Sequence, residues 1–233
     1  ILRPIVTYGT SKDSQIRAID IKHEGRKVKF RVVDKKYSKK TFTVSINFPG
    51  IHFVRNALAA IAVGLEYKVS IENIKKALIK FDGVGRRFEV YSNITKNKKN
   101  ITVIDDYGHH PTEIEAVIKA TKKAYPNKEI NLVFQPHRYS RTKDCFDELV
   151  RTLQLPNQVF LFDIYSAGES KIKKISSANI VKTIKACKKN NATFLDSFSK
   201  AEKVIESKIK NNSIVLIMGA GNISNFVNTF LEK

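Results

Sequence analysis

Two stretches of this chain concentrate side chains that can bind anions or exchange protons. Residues 105–110, Asp-Asp-Tyr-Gly-His-His, contain two carboxylates, a phenol and two imidazoles. Residues 137–141, His-Arg-Tyr-Ser-Arg, place two guanidinium groups three residues apart. Such a density of polar groups is costly in a core and normal for a site at the end of a strand. For the first stretch taken alone, an ordinary loop with solvated charges is an equal alternative.

The two arginines of the second stretch, Arg138 and Arg141, come just before a predicted helix. Paired guanidinium groups there would form a fork for a carboxylate or phosphate, aided by the helix dipole. The alternative is that one arginine makes an ion pair with Asp144 or Asp147 on the helix itself.

The elements that must position these residues alternate between strand and helix from residue 101 onward. Strands are predicted near residues 101–105, 130–134, 158–163, 193–195 and 213–218. Helices are predicted near residues 112–124, 142–154, 176–189, 199–210 and 222–231. Repeated βα units predict a parallel sheet covered by helices, a Rossmann-like α/β architecture.

Polar clusters follow four of these predicted strands, in residues 105–110, 135–141, 163–169 and 219–222. The carboxyl ends of parallel strands meet at one edge of a sheet, where ligands bind in such folds. We therefore expect the four turns to lie together around one shared cleft.

The first part of the chain has a different pattern. Residues 4–48 are predicted to be β structure, because residues 27–32 and 42–46 alternate apolar and polar side chains with period two. Pro49-Gly50 ends it, and helices are predicted at about residues 52–66 and from the N-cap Ser70 onward. Residues 92–100 are the most linker-like stretch, so we place a domain boundary there, between domains at 1–95 and 101–233.

His52 and Asn56 lie four residues apart at the start of the helix predicted after Gly50. This spacing places both side chains on one helix face, where they could hydrogen-bond the edge of a base. Alternatively, Asn56 only helps to fix the turn.

The formal charge of +20 raises the alternative of a nucleic-acid-binding module. Of the 42 basic residues, 32 are lysines scattered along every predicted helix and loop, and 10 are arginines. The arginines Arg86, Arg87, Arg138 and Arg141 fall in loop motifs instead. This distribution favours a basic surface over a polyanion site, so no nucleic-acid partner is expected.

No apolar run approaches the roughly 20 residues that cross a bilayer, so we expect no membrane association. Cys145 and Cys187 have no metal-ligand spacing, and both are interpreted as buried free thiols in a reducing cytoplasm, which is the expected location. Residue 1 is Ile, which suggests that the sequence is a fragment.

Two further groups of residues resemble cofactor or metal sites only in part. Gly219-Ala220-Gly221-Asn222 follows an apolar strand, but Ser224 replaces the third glycine of a dinucleotide fingerprint. Close backbone packing or an anion-binding turn is therefore favoured over an NAD site.

His109, His110 and His137 with the two aspartates could ligate a metal, but adjacent histidines do not readily face one ion, so no metal ligands are predicted.

Four motifs together resemble the Mur ligases. They are Asp105-Asp106-Tyr107-Gly108-His109-His110-Pro111-Thr112-Glu113, Phe134-Gln135-Pro136-His137-Arg138-Tyr139-Ser140-Arg141-Thr142, Tyr165-Ser166-Ala167-Gly168-Glu169 and Gly219-Ala220-Gly221-Asn222-Ile223. The resemblance runs from about residue 5 to 230. It implies the last part of the family's central ATP-binding domain, with antiparallel strands and two helices, followed by its Rossmann-like C-terminal domain.

The resemblance also implies roles for single residues. His52 and Asn56 match positions that meet adenine, Arg87 a contact to the nucleotide phosphates, and Asp106 a contact to the ribose. Four residues match positions around the incoming amino acid, with the arginines receiving its carboxylate: Tyr107, His137, Arg138 and Arg141.

The implied reaction joins L-alanine to UDP-N-acetylmuramate at the expense of ATP with Mg²⁺, in peptidoglycan precursor synthesis. ATP phosphorylates the lactyl carboxylate, and the amine of L-alanine attacks the resulting acyl phosphate. No Gly-x-x-x-x-Gly-Lys-Ser/Thr motif occurs in the 233 residues. The phosphate-binding loop and the Mg²⁺ ligands are therefore expected upstream, and this chain alone is expected to be inactive.

Overall fold

The computed structural model describes residues 4–187 and 191–232. The chain divides into two compact units. One comprises Ile1–Gly83 with Lys119–Pro126, and the other comprises Val84–Ile118 with Asn127–Lys233. Each unit has its own sheet and its own buried core.

The first unit contains a four-stranded sheet in the order β1-β2-β3-β4. Its strands are β1 (Tyr8–Gly9), β2 (Ile16–Glu24), β3 (Lys27–Asp34) and β4 (Thr41–Ile46). β1 is parallel to β2, and the other neighbours are antiparallel. Buried and exposed residues alternate along β3 and β4, as the period-two pattern predicts for a sheet with one covered face.

Two helices follow, α1 (Ile51–Glu66) and α2 (Ile71–Lys80). The apolar stripe of α1, which includes Val54, Leu58 and Ile61, is buried in the core of this unit. The predicted N-cap of α2 is confirmed, because the side chain of Ser70 accepts a hydrogen bond from the N–H of Asn73 at 3.3 Å.

The second unit contains a six-stranded sheet in the order β5-β6-β10-β7-β8-β9. Its strands are β5 (Glu89–Lys96), β6 (Lys99–Asp106), β7 (Ile130–Phe134), β8 (Gln158–Phe162), β9 (Ala192–Leu195) and β10 (Ile214–Met218). β5 is antiparallel to β6, and the remaining five strands are parallel. The predicted Rossmann-like parallel sheet is confirmed, and all five predicted strands are present.

The central strands are apolar throughout because both faces of the sheet are covered. Every residue of β7 and β10 is buried, which fits the near-continuous apolar runs of strands inside parallel sheets. Six helices follow along the chain: α3 (Pro111–Ala124), α4 (Tyr139–Asp144), α5 (Phe146–Thr152), α6 (Ser177–Ala186), α7 (Phe198–Lys208) and α8 (Ile223–Leu231). All belong to the second unit except the part of α3 from Lys119 onward, which is assigned to the first.

The helices agree with the predictions except in one region. The helix predicted at residues 142–154 begins at Tyr139 and is broken at Cys145, so that α4 and α5 are two short helices. The predicted extension of α6 to residue 189 lies partly outside the described residues.

The prediction of a linker at residues 92–100 is wrong. These residues form the ends of β5 and β6 and the tight turn between them, in which Asn97 and Lys98 have φ values of 45° and 62°. Positive φ at both central turn residues is the geometry of a two-residue hairpin. Polar residues on a strand at the edge of a sheet resemble a linker in composition, and the two units instead divide at Gly83.

The prediction that both cysteines are buried is also wrong. Cys187 is exposed at the end of α6, and Cys145 is half-buried at the break between α4 and α5. Among the described residues, no helix is both long enough and apolar enough to cross a membrane.

Candidate functional site

The turns that follow β7 and β8 are joined by backbone hydrogen bonds. The N–H of Arg138 donates to the carbonyl of Tyr165 at 2.8 Å, and the N–H of Tyr165 donates to the carbonyl of Pro136 at 2.9 Å. His137 and Tyr165 thereby form a parallel bridge beyond the ends of the strands. The two polar clusters are therefore held against each other.

Four aromatic side chains extend across the turns that follow β6, β7 and β8. We call these four residues the ring row: Tyr107, His109, His137 and Tyr165. The ring centroids of Tyr107 and His109 are 5.6 Å apart, those of His109 and His137 are 5.6 Å apart, and those of His137 and Tyr165 are 5.5 Å apart. Tyr107 and Tyr165, at the two ends of the row, are each 37% exposed. Three of the four polar turns therefore lie together, as expected, and the shared cleft stays a prediction.

Arg86 and Arg87 both lie over the ring of Tyr107, each with its guanidinium carbon 5.3 Å from the ring centroid. Their remaining contacts differ. Arg86 donates from Nε to Asp105 at 3.2 Å and from Nη2 to the carbonyl of Gly219 at 2.7 Å. Arg87 is exposed. Arg86 therefore joins the ends of β6 and β10, while the guanidinium of Arg87 is accessible to a ligand.

The two aspartates at the end of β6 are buried, and both are 3% exposed. One oxygen of Asp106 accepts from the N–H of Gly108 at 2.7 Å, and the other accepts from the N–H of Phe88 at 3.0 Å. Burial raises the pKa of Asp106 to about 6 against the opposing effect of these two bonds. Burial likewise raises the pKa of Asp105, although Arg86 favours its charged form. The ribose contact of Asp106 stays a prediction.

The guanidinium of Arg141 lies beside the ring of His137, with Nη1 3.4 Å from Nδ1. A guanidinium only donates, so Nδ1 of His137 is the acceptor in this contact. Burial lowers the pKa of His137, and the positive charges of Arg141 and Arg138 lower it further. His137 is therefore neutral at pH 7.

Arg138 is half-exposed and directs its guanidinium toward Glu169, with Nη1 and Oε1 3.9 Å apart. The ion pair of Arg138 is thus with Glu169, and not with Asp144 or Asp147 as in the alternative considered from the sequence. Glu169 also accepts from Ser140, at 2.9 Å from the backbone N–H and at 2.7 Å from the hydroxyl. The first turn of α4 therefore already holds a carboxylate of the chain.

His109 and His110 contact different neighbours. The ring of His109 belongs to the ring row, and its Nδ1 donates to the carbonyl of Tyr107 at 3.2 Å. Nε2 of His110 lies 3.8 Å from the sulfur of Cys145. In the described part of the chain, no group of three or more His, Cys, Asp or Glu side chains could hold a metal ion.

The backbone N–H groups of His109 and His110 both donate to Glu113, at 3.0 and 3.1 Å. Glu113 thereby caps the start of α3, as the acidic first turn of this helix predicts. Burial alone would raise the pKa of Glu113, but the two donors outweigh it and hold that pKa below its usual value.

The glycine turn after β10 is a packing element. A Cβ on Gly221 would lie 2.6 Å from Oε1 of Gln135 and 2.7 Å from Cβ of Tyr165. The side chain of Gln135 bridges to the same turn, because its amide donates to Asn222 at 2.8 Å and its oxygen accepts from the N–H of Ile223 at 3.1 Å. Of the two alternatives that the sequence left open, close packing and an anion-binding turn, the close packing is observed.

His52 and Asn56 belong to the first unit and lie in the first turns of α1. His52 is half-buried, with its ring centroid 4.4 Å from that of Phe53, and Asn56 is exposed. Gly50 precedes them with φ of 103°, and a Cβ there would lie 2.8 Å from the His52 ring. The adenine contact of these residues stays a prediction.

The structural roles of three residues are not predicted from the sequence. Glu169 and Glu113 are predicted only as parts of motifs, and Arg86 only as one of four loop arginines. Only the role of Glu113 could have been predicted from the local sequence, because a glutamate near the start of a helix is a capping pattern.

Two family models match this chain. The model for the "Mur ligase, glutamate ligase domain" matches residues 86–221, and the model for the "Mur ligase middle domain" matches residues 2–64. The first match alone covers more than half of the chain.

The curated relatives that match this chain are also ligases by name. The chain is 43% identical over 231 residues to a UDP-N-acetylmuramate–L-alanine ligase from Hydrogenovibrio crunogenus, covering 99% of the chain and 50% of that relative. It is 42% identical to the ligase of the same name from Nitrosomonas eutropha, covering 96% of the chain and 48% of that relative. The chain thus spans about half the length of the curated relatives it matches.

Solved structures show the same fold. The UDP-N-acetylmuramate-alanine ligase of Thermotoga maritima superposes with a TM-score of 0.79 at 30% identity, covering 97% of this chain and 47% of that one. MurF from Acinetobacter baumannii superposes with a TM-score of 0.73 at 18% identity, covering 98% of this chain and 47% of that one, and supports the fold alone. This chain belongs to the Mur ligase family.

Proposed function

We propose that the chain is the amino-acid-binding and nucleotide-contacting part of a UDP-N-acetylmuramate–L-alanine ligase. The reaction forms an amide bond in peptidoglycan precursor synthesis. ATP with Mg²⁺ activates the lactyl carboxylate of UDP-N-acetylmuramate as an acyl phosphate, and the amine of L-alanine displaces phosphate. The proposal includes a cytoplasmic location.

The observation that carries the proposal is the placement of Arg138 and Arg141 beside the ring row. Arg141 lies 3.4 Å from a neutral His137, and Arg138 is half-exposed beside Glu169. L-alanine offers only a methyl group, a carboxylate and an amine that must stay free to attack. Two guanidinium groups that bind the carboxylate would define its plane and direct the amine toward the acyl phosphate.

The ring row would form the wall of this subsite. Tyr107 and Tyr165 are partly exposed at its ends, and His109 and His137 lie between them. Burial lowers the pKa of both histidines, so neither adds a positive charge that would repel the ammonium form of the amino acid at pH 7. Tyr107 would contact the amino acid, while Arg87, whose guanidinium carbon lies 5.3 Å from the Tyr107 ring centroid, would contact the nucleotide phosphates.

The nucleotide part of the proposal rests on the four residues whose roles the resemblance implies: His52, Asn56, Arg87 and Asp106. The exposed guanidinium of Arg87 suits a phosphate group, and the exposed amide of Asn56 suits a base edge. When bound, ATP supplies the phosphoryl group that activates the carboxylate. The alternative of a nucleic-acid-binding module has no support from the family and relatives matched, and it is not proposed.

The test uses a hybrid ligase, in which this chain replaces the aligned residues of the Hydrogenovibrio crunogenus relative. We expect the hybrid ligase to release phosphate from ATP only when UDP-N-acetylmuramate and L-alanine are both present. We expect glycine and L-serine to be used less well than L-alanine. Phosphate release that is independent of L-alanine, or no preference among amino acids, would contradict the proposal.

A further inference from the structure

The short helix α4 does not cap its own first turn. Its N-cap residue is Arg138, which has φ of 70° and makes no side-chain hydrogen bond to the helix. The backbone N–H groups of a first helical turn need partners from elsewhere. For α4, one such partner comes from a different loop.

That partner is Glu169, in the turn that follows β8. Its Oε2 accepts from the backbone N–H of Ser140 at 2.9 Å, and its Oε1 accepts from the Ser140 hydroxyl at 2.7 Å. These bonds, with the Ser140 N–H contributing most, hold the pKa of Glu169 below its usual value. The carboxylate is therefore ionised and fixed at neutral pH.

The same carboxylate faces the guanidinium of Arg138, with Nη1 and Oε1 3.9 Å apart. The backbone of Arg138 is anchored separately, through its N–H to the carbonyl of Tyr165 at 2.8 Å. The side chain of Arg138 is 50% exposed, so Glu169 restrains the guanidinium without covering it. A second anion can therefore still bind Arg138.

We propose that Glu169 is a positioning residue for the amino-acid subsite: fixed on the first turn of α4 by Ser140, it holds the guanidinium of Arg138 where that guanidinium receives the amino-acid carboxylate. This inference rests on the proposed function. Glu169 acts through Arg138 and does not touch the amino acid. Without the fixed carboxylate, the long side chain of Arg138 would sample several rotamers, and binding would have to restrict them.

The test is Glu169→Gln in the hybrid ligase, because glutamine keeps the shape and one acceptor for Ser140 but loses the charge that holds Arg138. We expect the KM for L-alanine to rise about three- to fivefold, the size of an exposed ion pair. The kcat and the KM values for ATP and UDP-N-acetylmuramate should change less than about twofold. Glu148→Gln, which removes the same charge from the exposed face of α5, should leave all of these constants unchanged.

A double variant separates positioning from a general loss of structure. If Glu169 acts through Arg138, then Glu169→Gln should add nothing to the KM for L-alanine in the Arg138→Ala background. Equal changes for all three substrates with a lowered Tm, or additive effects in the double variant, would overturn the inference.

Failure of the inference and failure of the proposed function give different results. If Arg138→Ala raises the KM for L-alanine but Glu169→Gln does not, the inference is wrong and the function stands. If neither variant changes it, the proposed function is wrong as well. Should Glu169→Gln not fold, Ser140→Ala removes one bond to Glu169 at the same place. An unchanged KM for L-alanine in Ser140→Ala would then overturn the inference.

Discussion

The carboxylate of Asp106 accepts a hydrogen bond from the backbone N–H of Phe88 at 3.0 Å, which ties the end of β6 to the residue that precedes β5. Its other oxygen accepts from the N–H of Gly108 at 2.7 Å. Phe88 has φ of 54°, so this bond holds a residue in the left-handed region. Asp106 thus shapes the turn that carries Tyr107, whatever ligand it contacts.

The titration of Asp106 can be predicted with its sign. Burial raises its pKa from 3.8 to about 6 in the folded chain. A raised carboxyl pKa means that the folded state binds the proton more tightly than the unfolded state. The free energy of unfolding should therefore decrease as pH rises from about 4 to about 6 through this group, and level off above that.

The measurement is a ¹³C NMR titration of the Asp106 carboxyl in the isolated chain, assigned with Asp106→Asn. We expect a midpoint near pH 6. A midpoint at or below the ordinary value of 3.8 would show that the hydrogen bonds from Phe88 and Gly108 outweigh burial.

The arginine pair should control L-alanine binding in the hybrid ligase. We expect Arg138→Ala or Arg141→Ala to raise the KM for L-alanine roughly tenfold or more, from about 1.5–3 kcal/mol per charged hydrogen bond. Arg138→Lys should still be damaging, because lysine keeps the charge and loses the planar fork. The KM values for ATP and UDP-N-acetylmuramate should change far less in steady-state phosphate release.

The opposite pattern would support a structural role for the arginines. Arg151→Ala, on the exposed side of α5, is the matched control and should leave the KM for L-alanine unchanged. Equal losses for all three substrates, together with a lower Tm, would contradict the carboxylate-binding role of Arg138 and Arg141.

The glycine turn after β10 should not tolerate a side chain at Gly221. A Cβ there would lie 2.7 Å from both Cβ and Cγ of Tyr165, so Gly221→Ala must displace Tyr165. We expect a loss of about 1–3 kcal/mol of unfolding free energy, as for other overpacked sites. Gly85→Ala is the control, because a Cβ there meets only the carboxylate of Glu89 at 3.9 Å. Equal urea midpoints for the two variants would refute this packing role.

The hairpin between β5 and β6 should depend on the buried Lys96. Its side chain is 2% exposed, and Nζ lies 2.8 Å from Glu202 and 5.0 Å from the ring centroid of Phe230. Removing one partner of such a pair leaves the other charge poorly solvated, so Lys96→Ala should cost about 2–4 kcal/mol. Thermal or urea unfolding of the chain measures this loss.

Two comparisons test the cause of that loss. Lys75→Ala removes the exposed pair with Glu72 and should change stability by less than about 1 kcal/mol. The double variant Lys96→Met with Glu202→Gln should recover much of the stability, because no charge is then left unpaired. A loss as large in the double variant as in Lys96→Ala would contradict the ion pair as the cause.

The polar segment around Lys96 also shows where composition misleads. Residues 92–100 resemble a linker because an exposed edge strand and a two-residue turn use the same polar residues as a linker does. The partners of Lys96 and Lys99 lie more than 100 residues away, at Glu202 for the first and at the end of α7 for the second. No local pattern could have assigned them.

The sequence by itself determined the parallel sheet, the positions of its strands and the edge at which the polar turns meet. Hydrophobic periodicity acts over a few residues, and parallel strands necessarily bring their carboxyl ends to one edge. Only the tertiary structure decided the strand order, in which β10 lies between β6 and β7 and brings Gly221 against Tyr165. It also decided that Glu169 caps α4 beside Arg138, because that contact joins loops 29 residues apart, and its energy depends on how the strands pack and not on either local sequence.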